Sequence, residues 1–284
     1  PHQGAGYFEV ADEKNQKFYT EKYGVTHPTK PGLKIPQMFE AAIDKELKGL
    51  WIIGEDIVQT DPNSAHVVEA MNSLELLVVQ EIFMSETAKL ATVVLPGTTF
   101  LEKDGTFTNT ERRVQRVNRA VPPLPGTKPD GVIVTDMMQK LGFDQPTYDA
   151  DQVLAEIADI VPFFKGITRE RLGKMGLQWP VKEDGTDTQI LHTEEFKLGR
   201  GRLKNFDWKE STEIETNQKD YPLILTTSRV LQHYNAATMT RRTNNINIVD
   251  EDILLIHPKD AANRDLNTGD IGRLYSGRGE VALK

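Results

Sequence analysis

Three short runs of consecutive apolar residues mark the first third of the chain: "LWII" at 50–53, "LELLVV" at 74–79 and "TVVL" at 92–95. Such runs read as strands buried on both faces. Between them the apolar period changes to that of a helix. In "IPQMFEAAIDKELKG", Phe39, Ala42, Ile43 and Leu47 recur at helical spacing until Gly49 stops them. In "DPNSAHVVEAMNSL", Asp61 is expected as N-cap and Pro62 as first helical residue, with Ala65, Val68 and Met71 on the inward face. Ser85 is expected to cap a short helix in "SETAKLA". Continuous apolar strands alternating with helices predict a parallel sheet covered on both sides, with right-handed crossovers.

Further along, the pattern turns polar. "EKDGTFTNTERRVQRVNRAV" reads as a solvated hairpin, and its basic run as surface. Asp130 is expected to cap a helix that turns Ile133, Met137 and Leu141 inward, and "DADQVLAEIADIV" is a second amphipathic helix. Residues 1–35 have no sustained period and read as an irregular lead-in. Residues 181–216 are charged and weakly periodic, a connection. After it, "YPLILTTS", "DILLIHPKDA", "IGRLYS" and "EVALK" are short β-type runs split by the turns "NTGD" and "SGRG", with one short helix in "PKDAANRDL". The expected organisation is an α/β domain over 1–180, a linker over 181–216 and an all-β region, a barrel, over 217–284. Because the chain starts with Pro and stops within a strand-like run, both ends are expected to be cut.

Composition narrows the function classes. The 284 residues are 38% hydrophobic and 27% charged, an ordinary globular mixture. No apolar run approaches the ~18 residues of a membrane span, and no signal peptide is visible. A net charge of −8 argues against nucleic acid as the main partner. With no cysteine, this chain holds no disulfide, thiolate zinc site, cysteine-ligated iron–sulfur cluster or cysteine nucleophile.

In an open parallel sheet, ligands sit at the carboxyl ends of the strands. The first run ends in Gly54-Glu55-Asp56, the second in Gln80-Glu81 and the third in Pro96-Gly97. Carboxylates placed there can accept from ribose hydroxyls or from the paired N–H groups of a guanine edge. Glycines allow close backbone approach, and the helix expected from Asp61 offers N–H groups to a phosphate. The plain alternative is that strand ends carry polar turn residues, and no G-x-G-x-x-G or P-loop is present to decide. A second candidate is "SRVLQHYNAATMTRR", where Arg229, His233 and Tyr234 arrive together after a strand-like run. Arg offers a planar fork to phosphate, and His or Tyr can bond a heterocycle; the alternative is a structural His and solvated Arg residues. No catalytic residue set and no metal-ligand set is expected within the chain.

The blocks "WIIGEDIVQTDP", "LELLVVQEIFMSETAKLATVVLPGTTFLEKDGTFTNTERRVQ" and "LTTSRVLQHYNAATMTRR" resemble the molybdopterin oxidoreductase family, above all the catalytic (alpha) subunit of molybdenum- or tungsten-dependent formate dehydrogenases. The resemblance runs from about residue 1 to 284. It implies part of a chain wrapped around bis(molybdopterin guanine dinucleotide) with Mo or W. The α/β part would be the later half of the dinucleotide-binding domain, and the β region a truncated double-psi barrel. The cluster-binding segment, with its [4Fe-4S], and the Cys or selenocysteine metal ligand of the family are not in this sequence. The resemblance further implies that Gly54, Glu55, Asp56 and Thr60 line the guanosine and phosphate end of one pterin dinucleotide. Gln80, Glu81, Gly97 and Asp130 would continue that pocket, while Arg229, His233 and Tyr234 close over the pterin and its phosphates. One departure is visible: relatives often place an acidic and a small residue between that Arg and His, where Val230, Leu231 and Gln232 stand here. The implied reaction is formate to CO2, with two electrons leaving through iron–sulfur clusters. The implied partners are the remaining segment of the subunit, electron-transfer Fe-S subunits and formate. No membrane contact by this chain is implied, and the compartment would be cytoplasmic. A nitrate reductase-type member, or a pterin-free homologue in an electron-transfer complex, are the alternatives.

Overall fold

The computed structural model describes residues 3, 5–196, 198–209, 219–277 and 279–284. Residues 210–218, the end of the expected linker and the start of the expected barrel, lie outside the described residues, as does Arg278 of the expected "SGRG" turn. The chain divides into two compact units, residues 1–58 with 65–199 and residues 59–64 with 200–284.

The elements of the first part, in chain order, are α1 (Glu13–Tyr23), α2 (Ile35–Ile43), β1 (Gly49–Ile53), α3 (Ile57–Thr60), α4 (Ser64–Ser73), β2 (Leu76–Glu81), α5 (Glu86–Lys89) and β3 (Val93–Pro96). All three apolar runs become strands, parallel and in the order β1-β2-β3. Ile53 pairs with Gln80 and Glu81 with Pro96, so the three carboxyl ends lie level. Leu77 and Val79 of the central strand are buried with Phe39 and Ala42 of α2 and Val67, Ala70 and Met71 of α4. Each large side chain in this cluster stabilises the fold by ~1.5–3 kcal/mol through removal from water.

Three helical expectations change. The lead-in contains α1, which an apolar period could not reveal because only Tyr19 on it is buried. Its ends are set by polar chemistry instead. The Asp12 carboxylate accepts from Lys14 N (2.8 Å) and Asn15 N (3.2 Å), and left-handed Gly24 closes the last turn on Thr20 O (2.9 Å). Second, Asp61 does not cap a helix. Asn63 is left-handed (φ 61°), which separates the turn α3 from α4, and α4 buries Val67, Ala70 and Met71 rather than exposed Ala65. Third, the helix after Pro129 starts at Asp130 itself, and Leu141 at its end is exposed.

The polar stretch forms the antiparallel hairpin β4 (Gly105–Thr108) and β5 (Arg113–Val117). It is followed by α6 (Asp130–Lys140), α7 (Ala150–Ile160), α8 (Arg169–Leu172) and β6 (Leu177–Gln178), which adds to β5. Val114, Leu154, Ile167, Leu172 and Val181 form a second core. Gly166 packs so tightly on the next segment that a Cβ there would lie 1.7 Å from Lys182 O. One member of the basic run, half-buried, is held by the fold. Arg112, left-handed at φ 67°, lies over the Trp179 ring at 5.7 Å. It donates to the carbonyls of Trp179, Thr188 and Gln189.

In the second unit the antiparallel pairing among the described residues is one hairpin, β7 (Gly272–Ser276) with β8 (Gly279–Leu283). The "NTGD" turn forms, with Asn267 N donating to Asp270 Oδ2 at 2.7 Å, and the short helix is Pro258–Ala262. The expected strands in "YPLILTTS" and "DILLIHP" carry no ladder, and Ile224, Leu225 and Leu255 are exposed at 77%, 61% and 83%. A strand exists only through a partner's hydrogen bonds, and an apolar run does not supply one. What the structure establishes is mixed α/β architecture with a parallel sheet and small antiparallel sheets. Among the described residues no helix is long and apolar enough to cross a membrane.

Candidate functional site

The level strand ends place polar groups on one rim of the first unit. Gly54, left-handed at φ 63°, donates its N–H to Gln80 O (2.9 Å). Gly97 N donates to Glu81 O (3.0 Å), and Lys128 N to Pro96 O (3.1 Å), which carries the rim across to the start of α6. The Gln80 side chain is fully buried, and its Nε2 donates to Asp130 Oδ1 at 2.8 Å. Lys103 Nζ holds the other oxygen, Oδ2, at 2.5 Å. A Cβ on Gly97 would lie 3.2 Å from Asp130 Oδ1, a contact the carboxylate would have to shift to relieve. The rim therefore brings together Gly54, Gln80, Glu81, Gly97 and Asp130.

Beside Asp130 opens a pocket of about 260 Å³ between the hairpin, the first turn of α6 and one face of α7. Lys103, Asp104, Thr106, Asp130 and Tyr148 supply its polar side chains, and Phe107, Val153 and Ile157 part of its apolar wall. The Tyr148 ring fills the space where Gly131 has no side chain; a Cβ there would meet it at 2.1 Å. Burial pushes the Asp130 carboxyl up, but the hydrogen bonds from Lys103 and Gln80, with the lysine's charge, outweigh it and hold it below its usual range. Burial, then the nearby Asp130 and Asp149 charges, push the Tyr148 phenol up. At neutral pH the Asp130 carboxyl is thus ionised and the Tyr148 phenol neutral. Among the described residues three buried side-chain atoms have no hydrogen-bond partner: Trp51 Nε1, Gln80 Oε1 and Thr98 Oγ1. Buried polar atoms are almost always paired; of the two at this rim, Gln80 Oε1 can only accept, whereas the Thr98 hydroxyl can donate or accept.

Other expected residues sit differently. Glu55 is exposed. Asp56 is buried, and its Oδ1 accepts from Thr87 N (3.0 Å) and Thr87 Oγ1 (2.7 Å) while Oδ2 faces Glu86 N (3.4 Å). Asp56 thus anchors the start of α5 alongside Ser85, whose Oγ accepts from Ala88 N (3.2 Å). Thr60 ends α3, in the segment 59–64 that groups with the second unit. Sequence reasoning missed Lys103, Thr98 and Tyr148. Lys103 and Asp130 are 27 positions apart and carry no shared period, so only the fold joins them.

In the second unit, His233 has both ring nitrogens engaged. Nε2 lies 2.7 Å from Val249 O and Nδ1 3.0 Å from Thr240 Oγ1. A carbonyl can only accept, so Nε2 carries the proton. In the neutral ring Nδ1 then accepts from the Thr240 hydroxyl, whose oxygen takes Tyr234 N–H at 3.2 Å. His233 fixes the loop rather than offering a free base. Arg229 donates to Asn235 Oδ1 (3.2 Å) and is exposed, as is Tyr234. Among the described residues no group of three or more His, Cys, Asp or Glu side chains could hold a metal ion.

Comparison with known proteins matches residues 6–140 to the family model "Molybdopterin oxidoreductase" and residues 223–284 to the "Molydopterin dinucleotide binding domain". The chain is 40% identical over 288 residues to the F420-dependent formate dehydrogenase subunit alpha of Methanocaldococcus jannaschii, covering 100% of this chain and 42% of that protein. It is 42% identical over 256 residues to the F420-dependent formate dehydrogenase 2 subunit alpha of Methanococcus maripaludis, covering 88% and 37% respectively. It therefore spans about two fifths of the length of these curated relatives. Among solved structures, acetylene hydratase from Pelobacter acetylenicus superposes with a TM-score of 0.60 at 19% identity, over 94% of this chain and 40% of that one, a likeness of fold.

Proposed function

Because the chain belongs to the molybdopterin oxidoreductase family, we propose that it forms cofactor-binding walls of a formate dehydrogenase catalytic (alpha) subunit. The observation that carries the binding role is the Gln80–Asp130–Lys103 link at the level strand ends, beside a pocket and two buried oxygens without partners. The residues present fit the nucleotide end of a pterin dinucleotide. Asp130 is an acceptor for paired N–H groups, Lys103 a cation for a carbonyl or phosphate oxygen, and Gln80 Oε1 and Thr98 Oγ1 are ready for buried donors. Gly54 and Gly97 allow backbone approach. The formate assignment rests on the two archaeal relatives, which bear that name.

When bound, bis(molybdopterin guanine dinucleotide) with Mo or W supplies the two-electron redox chemistry that turns formate into CO2. This chain's residues bind, orient and shield it. Arg229 and Tyr234, exposed on a loop that His233 and Thr240 stiffen, would meet the pterin and its phosphates. Gly54, Glu55 and Thr60 would line the phosphate side, while Asp56 acts through the start of α5. The [4Fe-4S] cluster and the metal ligand belong to the remaining segment of the subunit, and Fe-S subunits take the electrons. The α/β region over 1–180 would be the dinucleotide-binding domain, 181–216 a linker, and 217–284 part of a double-psi barrel whose unpaired apolar runs find their ladders in the complete subunit. The compartment would be cytoplasmic.

The test is the Asp130→Ala variant of the complete subunit. We expect less molybdenum or tungsten and less GMP released by acid hydrolysis than from wild type, with formate-dependent dye reduction falling in proportion. Wild-type metal and GMP content in the variant would overturn the assignment of the rim.

A further inference from the structure

The two short helices that follow β1 and β2 satisfy each other's first turns. Val58 is the second residue of α3, where an N–H has no acceptor within the helix. It donates instead to Thr87 Oγ1, 29 residues along the chain, at 3.1 Å. The same hydroxyl donates to Asp56 Oδ1 at 2.7 Å. That carboxylate oxygen also accepts from Thr87 N, of the second residue of α5, at 3.0 Å. Asp56, just before α3, therefore serves the start of α5, and Thr87 on α5 serves the start of α3. Both side chains are out of water, Asp56 at 5% exposure and Thr87 at 0%. Branching at Cβ limits Thr87 to few rotamers, so its hydroxyl is aimed by the fold. Val would fill the same space, but it would orphan the Val58 N–H and take a donor from a buried carboxylate.

We propose that Thr87 is a positioning residue for cofactor retention: through Asp56 and Val58 its hydroxyl fixes residues 54–58 to α5, so the rim beyond β1 holds one setting whether or not the pterin dinucleotide is bound. This rests on the reading of the rim as a cofactor-binding wall. Thr87 is fully buried and acts through those two residues. A wall already set when empty needs no ordering when the cofactor arrives, and the cofactor leaves only as fast as its own contacts break. A wall free to open adds a second route of escape. The loss of the link is therefore read in the rate of release.

In the experiment the complete subunit, purified with its cofactor, is diluted into cofactor-free buffer, and the metal and GMP remaining on the protein are followed with time. Thr87→Val keeps the shape and removes the hydroxyl; Thr87→Ser keeps the hydroxyl and removes the methyl. Release is expected to be about ten-fold faster from Thr87→Val, the ratio one hydrogen bond supports, and close to wild type from Thr87→Ser. Deuterium exchange over residues 54–58 should rise in Thr87→Val while exchange over β2 stays at the wild-type rate. A packing role alone predicts the reverse order, with Thr87→Ser, which leaves a void, the worse of the two. That reverse order, or release from Thr87→Val at the wild-type rate, overturns the role of Thr87 and leaves the wall reading standing. Should Thr87→Val fail to fold, the wild-type subunit decides: exchange over 54–58 equally slow with and without cofactor supports a wall set in advance, and slowing only on binding overturns it. Release from wild type as fast as from Asp130→Ala overturns the wall reading itself and this inference with it.

Discussion

The residues of the rim divide by what their side chains already hold. Asp56 is fully engaged by Thr87 and Glu86 at the head of α5, whereas Asp130 shares its two oxygens between a buried amide and a lysine at a pocket mouth. Both are acids at one sheet edge, and position along the chain alone does not separate them. Asp56→Ala removes the acceptor for a buried N–H and a buried hydroxyl, and should destabilise by ~1–3 kcal/mol in urea unfolding. If retention of the cofactor drops while the unfolding midpoint stays at wild type, Asp56 is a ligand contact and not an anchor. Glycines at strand ends, by contrast, were legible. Gly54 and Gly97 sit where a left-handed turn, or a tight approach to a carboxylate, favours the residue without a side chain. Lys103 was not legible, since nothing local distinguishes it from the other lysines of the chain.

At the scale of elements, apolar runs and caps carried different amounts of information. β1, β2 and β3 all followed from apolar runs, although only the central β2 is largely buried, β1 burying Ile52 alone and β3 none of its residues. α1 buries one residue and was invisible to periodicity, although Asp12 and Gly24 mark its two ends. The apolar run at "YPLILTTS" had the composition of a strand and no partner to make it one. Loops can be tied as firmly as helices. Glu102 accepts from Thr99 N (2.8 Å) and Oγ1 (2.9 Å) and from Leu124 N (2.9 Å), which lowers its carboxyl pKa below the usual range, the Thr99 backbone bond first. A lowered native pKa means a contribution present in full above the unfolded value, ~4.3, and lost as pH falls through the native one. The Thr99 and Leu124 amide signals should therefore titrate together, below the usual glutamate range; independent titrations would break the link. Gly166→Ala, with its Cβ driven onto Lys182 O, should cost about 3 kcal/mol in thermal unfolding. Gly201→Ala, with nothing within 4 Å, serves as the neutral reference.

For the whole molecule, the chain passes from the first compact unit to the second in a stretch with no regular structure. Residues 198–209 are exposed, Leu203 wholly so, and carry Arg200, Arg202 and Lys204. Brief trypsin treatment of this chain should cut there first, and mass spectrometry would identify the ends; a first cut at Arg112, whose guanidinium is held by three carbonyls, would contradict the division. The pairing of Gly131 with Tyr148 reaches past this one chain. The ring stands where any side chain at 131 would have to stand, so the volume over the first turn of α6 can be filled once, from either position. Descendants of this sequence can exchange which of the two is bulky, but only in concert: enlarging 131 alone would evict the phenol and deform the pocket mouth, and shrinking 148 alone would leave a void. Substitutions at these two sites are therefore expected to be inherited together, as a record of how the pocket kept its shape while its residues drifted.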